Sequence, residues 1–296
     1  MTSRLTRRDA LALLAASAAV TSATMPTQAA APSLLPVKTP GLDHLDVMVP
    51  DVEKSTRFYM GLFRTTLHAQ PFQGGQRYFV LLNSLPANRA VGYIAIGASR
   101  GRGTYIGHFC TSVQDWQRDN QAVFAAMKER FAAEKFGEFP GGTGFGGLFQ
   151  DPDGIEVQFL PTPDTLVTAA VPSDLVPGQQ GMVVPQRVDH VIVKVSDLKR
   201  SVAFYRLLYG REARSNRDSA TFAFANGTRL VLEQTRYVYG EARTRISRYA
   251  IRVQPFDRAA VEAHVASLGG KVVGGAAGTS LRLQDADGIE FELVPG

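Results

Sequence analysis

The chain has little cysteine, few long apolar runs and no concentrated charge. Cys110 is the only cysteine among 296 residues. No disulfide can form within the chain, so an oxidising compartment adds no covalent staple. The apolar run from Leu11 to Val20 is about half of what a membrane-spanning helix needs. The formal net charge is +5, a weak surplus, and no Lys/Arg cluster is interleaved with aromatics. Nucleic-acid binding therefore has little support. Apolar content of 45% and charged content of 20% are those of an ordinary globular protein. The length suits about two domains.

The N-terminus reads as a targeting segment. Thr6-Arg7-Arg8-Asp9 leads into the apolar run, and small residues around Ala29 to Ala31 offer a cleavage site. The paired arginines resemble a twin-arginine export signal, with Ala10 and Ala12 in place of that motif's usual Phe and Lys. Residues 1–30 are thus expected to be a signal peptide, and the mature protein to be periplasmic or secreted, without a membrane anchor once the signal is removed.

What the chain does have is a repeat. His44, Asp51, Ser55, Phe58, Tyr59 and Leu62 recur as His190, Asp197, Ser201, Phe204, Tyr205 and Leu208, every pair 146 positions apart. A period that long marks a duplicated domain rather than a solenoid unit. In both copies the histidine opens an alternating strand pattern. The Ser, Phe, Tyr and Leu then share one face of a helix, with the aspartate at its N-cap. A second pair of segments carries its own mark. Gln150-Asp151-Pro152-Asp153-Gly154-Ile155-Glu156 matches Gln284-Asp285-Ala286-Asp287-Gly288-Ile289-Glu290, 134 positions on. Asp-x-Asp-Gly is a hairpin-turn signature, with glycine supplying positive φ. Residues 161–185, rich in Pro, Thr, Ser and Gly, read as a linker.

These residues together resemble the vicinal oxygen chelate superfamily. It includes glyoxalase I, the bleomycin and fosfomycin resistance proteins and the extradiol ring-cleaving dioxygenases. The resemblance rests on His44 and its strand, Ser55-x-x-Phe58-Tyr59-x-x-Leu62, His108-Phe109-Cys110, Asp151-Pro152-Asp153-Gly154 and their second-half counterparts. It implies an α+β fold of four βαβββ modules in two tandem glyoxalase-like domains, residues 41–160 and 186–296. It also implies a divalent metal ion (Fe, Mn or Zn) held by ligands from first and last strands.

For the first half the implied ligands are His44 and His108. The closing position, four residues after Gly154, holds Gln158 rather than glutamate. Glu156 lies on the same strand face and is read either as a ligand or orienting carboxylate, or as a solvent-facing residue. The second half offers His190 and Glu292, with Arg248 at the position matching His108. A guanidinium repels a divalent ion, so the second half is expected to be metal-free. His68 and His264 fall outside the pattern and read as surface or turn residues. Cys110 reads as structural. The Gly141–Gly147 loop does not join a strand to a helix, which argues against a dinucleotide site and leaves a flap at the pocket mouth as one reading.

The implied activity is that of an exported, metal-dependent dioxygenase or lyase whose small-molecule substrate chelates the metal through vicinal oxygens, with Glu156 the candidate catalytic carboxylate. The alternative is a non-catalytic protein that sequesters a small molecule. No nucleic-acid partner is expected, and a homodimer is left open.

Overall fold

The structure is a computed structural model that describes residues 33–82, 92–136, 147–161, 169–176, 181–235 and 245–296. The N-terminal segment expected to be a signal, the Gly-rich loop up to residue 146, and residues 162–168 and 177–180 of the linker lie outside the described residues. Among the described residues, no helix is long and apolar enough to cross a membrane.

The first sheet has seven strands. They are β1 (Gly41–Val49), β2 (Leu67–Phe72), β3 (Gly75–Leu81), β4 (Tyr93–Ala98), β5 (Tyr105–Val113), β6 (Leu148–Gln150) and β7 (Glu156–Pro161), in spatial order β2-β3-β4-β1-β5-β7-β6. Helix α1 (Val52–Leu62) follows β1, and α2 (Trp116–Ala133) follows β5. The second sheet has eight strands. They are β8 (Val184–Val195), β9 (Arg214–Ser215), β10 (Ser219–Ala223), β11 (Arg229–Gln234), β12 (Arg245–Gln254), β13 (Lys271–Gly274), β14 (Leu281–Gln284) and β15 (Glu290–Pro295). Their order is β13-β14-β15-β12-β8-β11-β10-β9, with α3 (Leu198–Tyr209) and α4 (Arg258–Ser267) packed on them. The two sheets, each carrying helices, are two tandem glyoxalase-like domains of a mixed α+β fold. Three of the four modules show the full βαβββ order. The second shows three strands among the described residues, because the stretch corresponding to β13 falls within 137–146.

Each sheet is built about one antiparallel pair, β1 with β5 and β8 with β12, flanked on both sides by parallel neighbours. The helices begin where the sequence places them. The Asp51 carboxylate accepts from the Lys54 amide and that of Asp197 from the Arg200 amide, satisfying a backbone donor that the helix leaves open. Beyond the start of β1, buried positions alternate between the two faces. Leu45, Val47 and Val49 of β1, Val80 of β3 and Ile94 and Ile96 of β4 join the main core on the helix side. Phe79, Leu81, Tyr93 and Ala95 form a separate buried cluster on the opposite face.

The repeated marks dock onto each other across the two domains. The Tyr59 hydroxyl on α1 donates to Asp285 Oδ2 at 2.8 Å, and the Tyr205 hydroxyl on α3 donates to Asp151 Oδ2 at 2.9 Å. Ser55 bonds Asp287 and Ser201 bonds Asp153 in the same reciprocal sense. The other carboxylate oxygen of each buried aspartate holds its own turn. Asp151 Oδ1 accepts from the amides of Asp153 and Ile155, and Asp285 Oδ1 from those of Asp287 and Ile289. The turns close at Gly154 and Gly288, with φ of 79° and 87°, values that favour glycine. Phe58 meets Phe291, and Phe204 meets Phe131, Phe136 and Phe149. One apolar core therefore runs through both domains.

Candidate metal centre

His44, His108 and Gln158 come from β1, β5 and β7 and point to the face away from the helices. His44 Nε2 lies 3.0 Å from Gln158 Oε1, His108 Nε2 lies 3.1 Å from the same oxygen, and the two Nε2 atoms are 3.4 Å apart. Ligands about 2.1 Å from a shared ion are separated by about 3.0 Å in octahedral and about 3.4 Å in tetrahedral geometry. The three edges match one face of such a polyhedron.

The hydrogen-bond roles around the rings favour the same fit. His44 Nδ1 sits 2.8 Å from Asp43 Oδ1, and the other Asp43 oxygen accepts from the Ser112 hydroxyl at 2.8 Å. His108 Nδ1 lies 3.4 Å from Asp46 Oδ2, while Asp46 Oδ1 accepts from Arg77. A carboxylate beside Nδ1 fixes the proton there and leaves Nε2 as a bare lone pair. With the amide oxygen of Gln158 turned toward both rings, three acceptors converge at contact distance. Three converging lone pairs call for a cation. Burial pushes His44 below the ordinary imidazole range, outweighing the Asp43 hydrogen bond, so its ring is neutral near pH 7. Burial works against ionisation of Asp46 too, but its contacts with His108, and then with Arg77, outweigh it and hold that carboxyl at about 2.

Adjacent residues of a regular strand point to opposite faces, so Asp43 should not reach the ring of His44. It does so because β1 is bulged. Leu42 pairs with Thr111 and Leu45 with Phe109, so Asp43 and His44 together oppose Cys110. A second irregularity places Gly107 as the extra residue between the Asp46–His108 and Val47–Ile106 pairs. A Cβ on Gly107 would lie 3.0 Å from Asp46 Oδ2, so a side chain there would press on that carboxylate.

Tyr93 of β4 stacks on His44, with ring centroids 4.1 Å apart and an interplanar angle of 14°. Its hydroxyl is 3.5 Å from His44 Nε2. Phe79 meets Tyr93 edge-on at 5.2 Å. With Leu81 they make an apolar aromatic wall beside the three ligand atoms. Asp43, His44 and Cys110 also carry donor atoms within 4.8 Å of one another. That trio is the weaker set, because the Asp43 carboxylate is spent on His44 Nδ1 and Ser112 and the Cys110 thiol lies against the Thr111 carbonyl.

Glu156 stands apart from the triangle. It is exposed at the start of β7 and lines a cavity of about 600 Å³ between the two domains, together with Arg102, Arg245 and Glu290. That cavity includes none of His44, His108 and Gln158. Of the other histidines, His264 Nε2 lies 2.9 Å from the Gly61 carbonyl and ties α4 to α1, a structural contact between domains rather than a surface position. His68 is in β2.

In the second sheet the same register brings together His190, Arg248 and Glu292. Arg248 pairs with Ile192 as His108 pairs with Asp46, and Glu292 pairs with Ala250 as Gln158 pairs with Cys110. His190 Nδ1 sits 2.8 Å from Asp189, and its Nε2 lies 3.6 Å from Glu292. Burial alone would lower the His190 pKa. The hydrogen bonds and charges of Asp189 and Glu292 overcome this and raise it. The counterpart of Asp46 is Ile192, so the second half lacks that orienting carboxylate too.

Two family models match the chain. Residues 41–159 match the Glyoxalase/Bleomycin resistance protein/Dioxygenase superfamily, and residues 190–294 match a Glyoxalase-like domain. Each half of the chain thus matches a glyoxalase-type family model. No curated protein matches it in sequence. Among solved structures it is similar to the 2,3-dioxygenase LapB from Pseudomonas sp. KL28, at 13% identity and a TM-score of 0.61, over 88% of this chain and 93% of that one. It is similar to the Mn(II)-bound glyoxalase from Novosphingobium aromaticivorans, at 11% identity and a TM-score of 0.59, over 88% and 83%. It is also similar to homoprotocatechuate 2,3-dioxygenase from Arthrobacter globiformis, at 17% identity and a TM-score of 0.57, over 88% and 81%. At such identities the likeness is one of fold.

Proposed function

We propose that the first domain holds a divalent metal ion (Fe, Mn or Zn) on His44, His108 and Gln158. The protein would then be an exported enzyme of the dioxygenase or lyase type, acting on a small molecule that chelates through two neighbouring oxygens. The observation that carries this reading is the triangle of Nε2, Nε2 and Oε1, each edge between 3.0 and 3.4 Å. A bound divalent ion supplies Lewis acidity, stabilising negative charge on substrate oxygens.

The chain's own residues supply the rest. Asp43 and Asp46 keep the ring protons on Nδ1. Tyr93, Phe79 and Leu81 give an apolar wall that keeps water from one side of the substrate. Gln158 carries no charge and cannot take a proton, which disfavours a glyoxalase-type isomerisation that uses a ligand carboxylate as base. Glu156, which neighbours His108 on the β5–β7 ladder although it opens onto the cavity between the domains, is the carboxylate we assign to proton transfer. Export rests on Arg7, Arg8 and the apolar run that follows them.

One experiment tests these parts together. Protein isolated in native form from the periplasmic fraction is expected to contain a stoichiometric transition metal. The metal should be lost in His108→Ala, activity on catechol-type or 2-oxo substrates should fall in Glu156→Gln, and the protein should stay in the cytoplasm when Arg7 and Arg8 are replaced by lysine. Metal-free protein that binds such compounds without converting them would make it a sequestering protein instead. Unchanged activity in Glu156→Gln would remove that residue's role, and unchanged location of the lysine variant would remove twin-arginine export.

A further inference from the structure

The second sheet carries a guanidinium where the first carries an imidazole, and that guanidinium lacks a close partner. Val191 and Val193 of β8, Leu230 and Leu232 of β11 and Tyr249 of β12 belong to the apolar core on the helix side. Ile192, Val231 and Arg248 alternate with them and so take the opposite face. The register sets these three in one row across the sheet, because Arg248 pairs with Ile192 and Ile192 with Val231.

The acids around this row are already engaged. Asp189 takes Arg229, Arg252 and the His190 ring. Glu233 takes Lys194. Glu292 lies 3.6 Å from His190 Nε2 and accepts from the Ser280 hydroxyl. Arg248 is left over. Its one ion pair among the described residues is with Glu233 at 3.9 Å, beyond hydrogen-bond reach. Its Nε atom is buried without an acceptor, and its side chain is 22% exposed, so the group can be reached from solvent. A buried donor left without an acceptor is costly. A guanidinium stays charged at any working pH and offers paired N–H groups that match the two oxygens of a carboxylate.

We propose that this face of the second domain binds a small monocarboxylate with an apolar tail, its two oxygens held by Arg248 and its tail set against Ile192 and Val231. One negative charge suits the place. In the strand order β15-β12-β8-β11, Arg248 stands between Glu292 and Glu233, and both would repel a second charge. The site needs no metal in the first domain, so it stands or falls separately from the reading above.

The test uses the whole protein, with butyrate and acetate as probes and titration calorimetry at low ionic strength, where screening is weakest. One butyrate per chain is expected. It should bind at least about threefold more tightly than acetate, because two further methylenes contribute even when half covered. Butylamine, with the same tail and the opposite charge, should not bind. Arg248→Gln is expected to weaken butyrate by at least about tenfold while leaving the thermal midpoint of the free protein unchanged, since the guanidinium has no internal hydrogen bond to lose. Arg248→Lys should give an intermediate affinity, keeping the charge without the paired N–H groups. Val231→Asp leaves Arg248 in place, puts a negative charge beside the tail and is expected to weaken butyrate as well, which keeps the test decisive if Arg248→Gln folds poorly. His44→Ala should bind butyrate as the wild type does. Absence of saturable butyrate binding, wild-type affinity in Arg248→Gln, or loss of binding in His44→Ala would overturn the proposal. Equal affinities for butyrate and acetate would remove the apolar tail from it.

Discussion

Two aspartates decide which nitrogen each histidine offers. Asp43 and Asp46 sit against the Nδ1 atoms of His44 and His108 and leave both Nε2 atoms turned toward Gln158. Replacing Asp43 by Asn keeps an acceptor for the ring N–H and a partner for Ser112 but removes the charge that strengthens the ring as a donor to metal. Loss of such a partner costs about 10–100-fold in metal affinity. Asp43→Asn is therefore expected to weaken Zn(II) binding by at least about tenfold with little change in thermal midpoint; equal zinc affinity in the two proteins would show the contact to be structural only. The imidazoles and Gln158 were legible in the sequence because family register points to them. Asp43 was not, because side chains one residue apart on a strand face opposite ways, and only the bulge at Asp43-His44 overrides that rule. The signal was present even so, since Asp43-His44 recurs as Asp189-His190 at the repeat's own offset.

At the scale of elements, the helix mark and the turn mark are two sides of one contact. The sequence shows the turn and the amphipathic face, and each alone reads as local structure. That Tyr205 answers Asp151, and Tyr59 answers Asp285, is set by how the two domains meet, which no local pattern encodes. Tyr205→Phe would leave a buried carboxylate oxygen without its donor, at a cost of about 1–3 kcal/mol, read as a lower denaturant midpoint. The pH dependence follows from the same group. Burial raises the Asp151 carboxyl to about 6 from its ordinary 3.8, against the pull of hydrogen bonds from Ile155, Tyr205 and Asp153. The folded protein therefore keeps a proton that the unfolded chain releases. The contribution to stability is full below about pH 4 and is lost as pH rises toward about 6. Asp285 is shifted in the same direction. Unfolding midpoints at pH 4.5 and 6.5 are expected to differ less in Asp151→Asn than in the wild type, and an unchanged difference would exclude Asp151 as the source.

For the whole molecule, the division into two tandem domains was readable from the repeat, but their interdependence was not. The face of α1 that carries Phe58 and Tyr59 is covered by Tyr249 and Phe291 of the second domain, and Phe204 of α3 fills a space among Phe131, Phe136 and Phe149 of the first. Either domain alone would expose these aromatics. Calorimetry of the intact protein is expected to show one cooperative transition, and residues 34–170 expressed alone are expected not to yield a stable fold. Two resolved transitions would contradict that. The shared core also accounts for how the second sheet keeps its place while Arg248 and Ile192 stand where the first has His108 and Asp46.

The reciprocal docking of helix onto turn has the symmetry of a homodimer written into a single polypeptide. Two free copies of one such unit could meet through the same serine, tyrosine and aspartate contacts, but only at concentrations high enough to favour pairing. A covalent tether replaces that concentration by a fixed local one and removes dilution as a route to dissociation. It also frees the two copies from having to be identical, so one can keep its imidazole pair while the other spends the same position on a guanidinium and serves as a permanent, built-in partner.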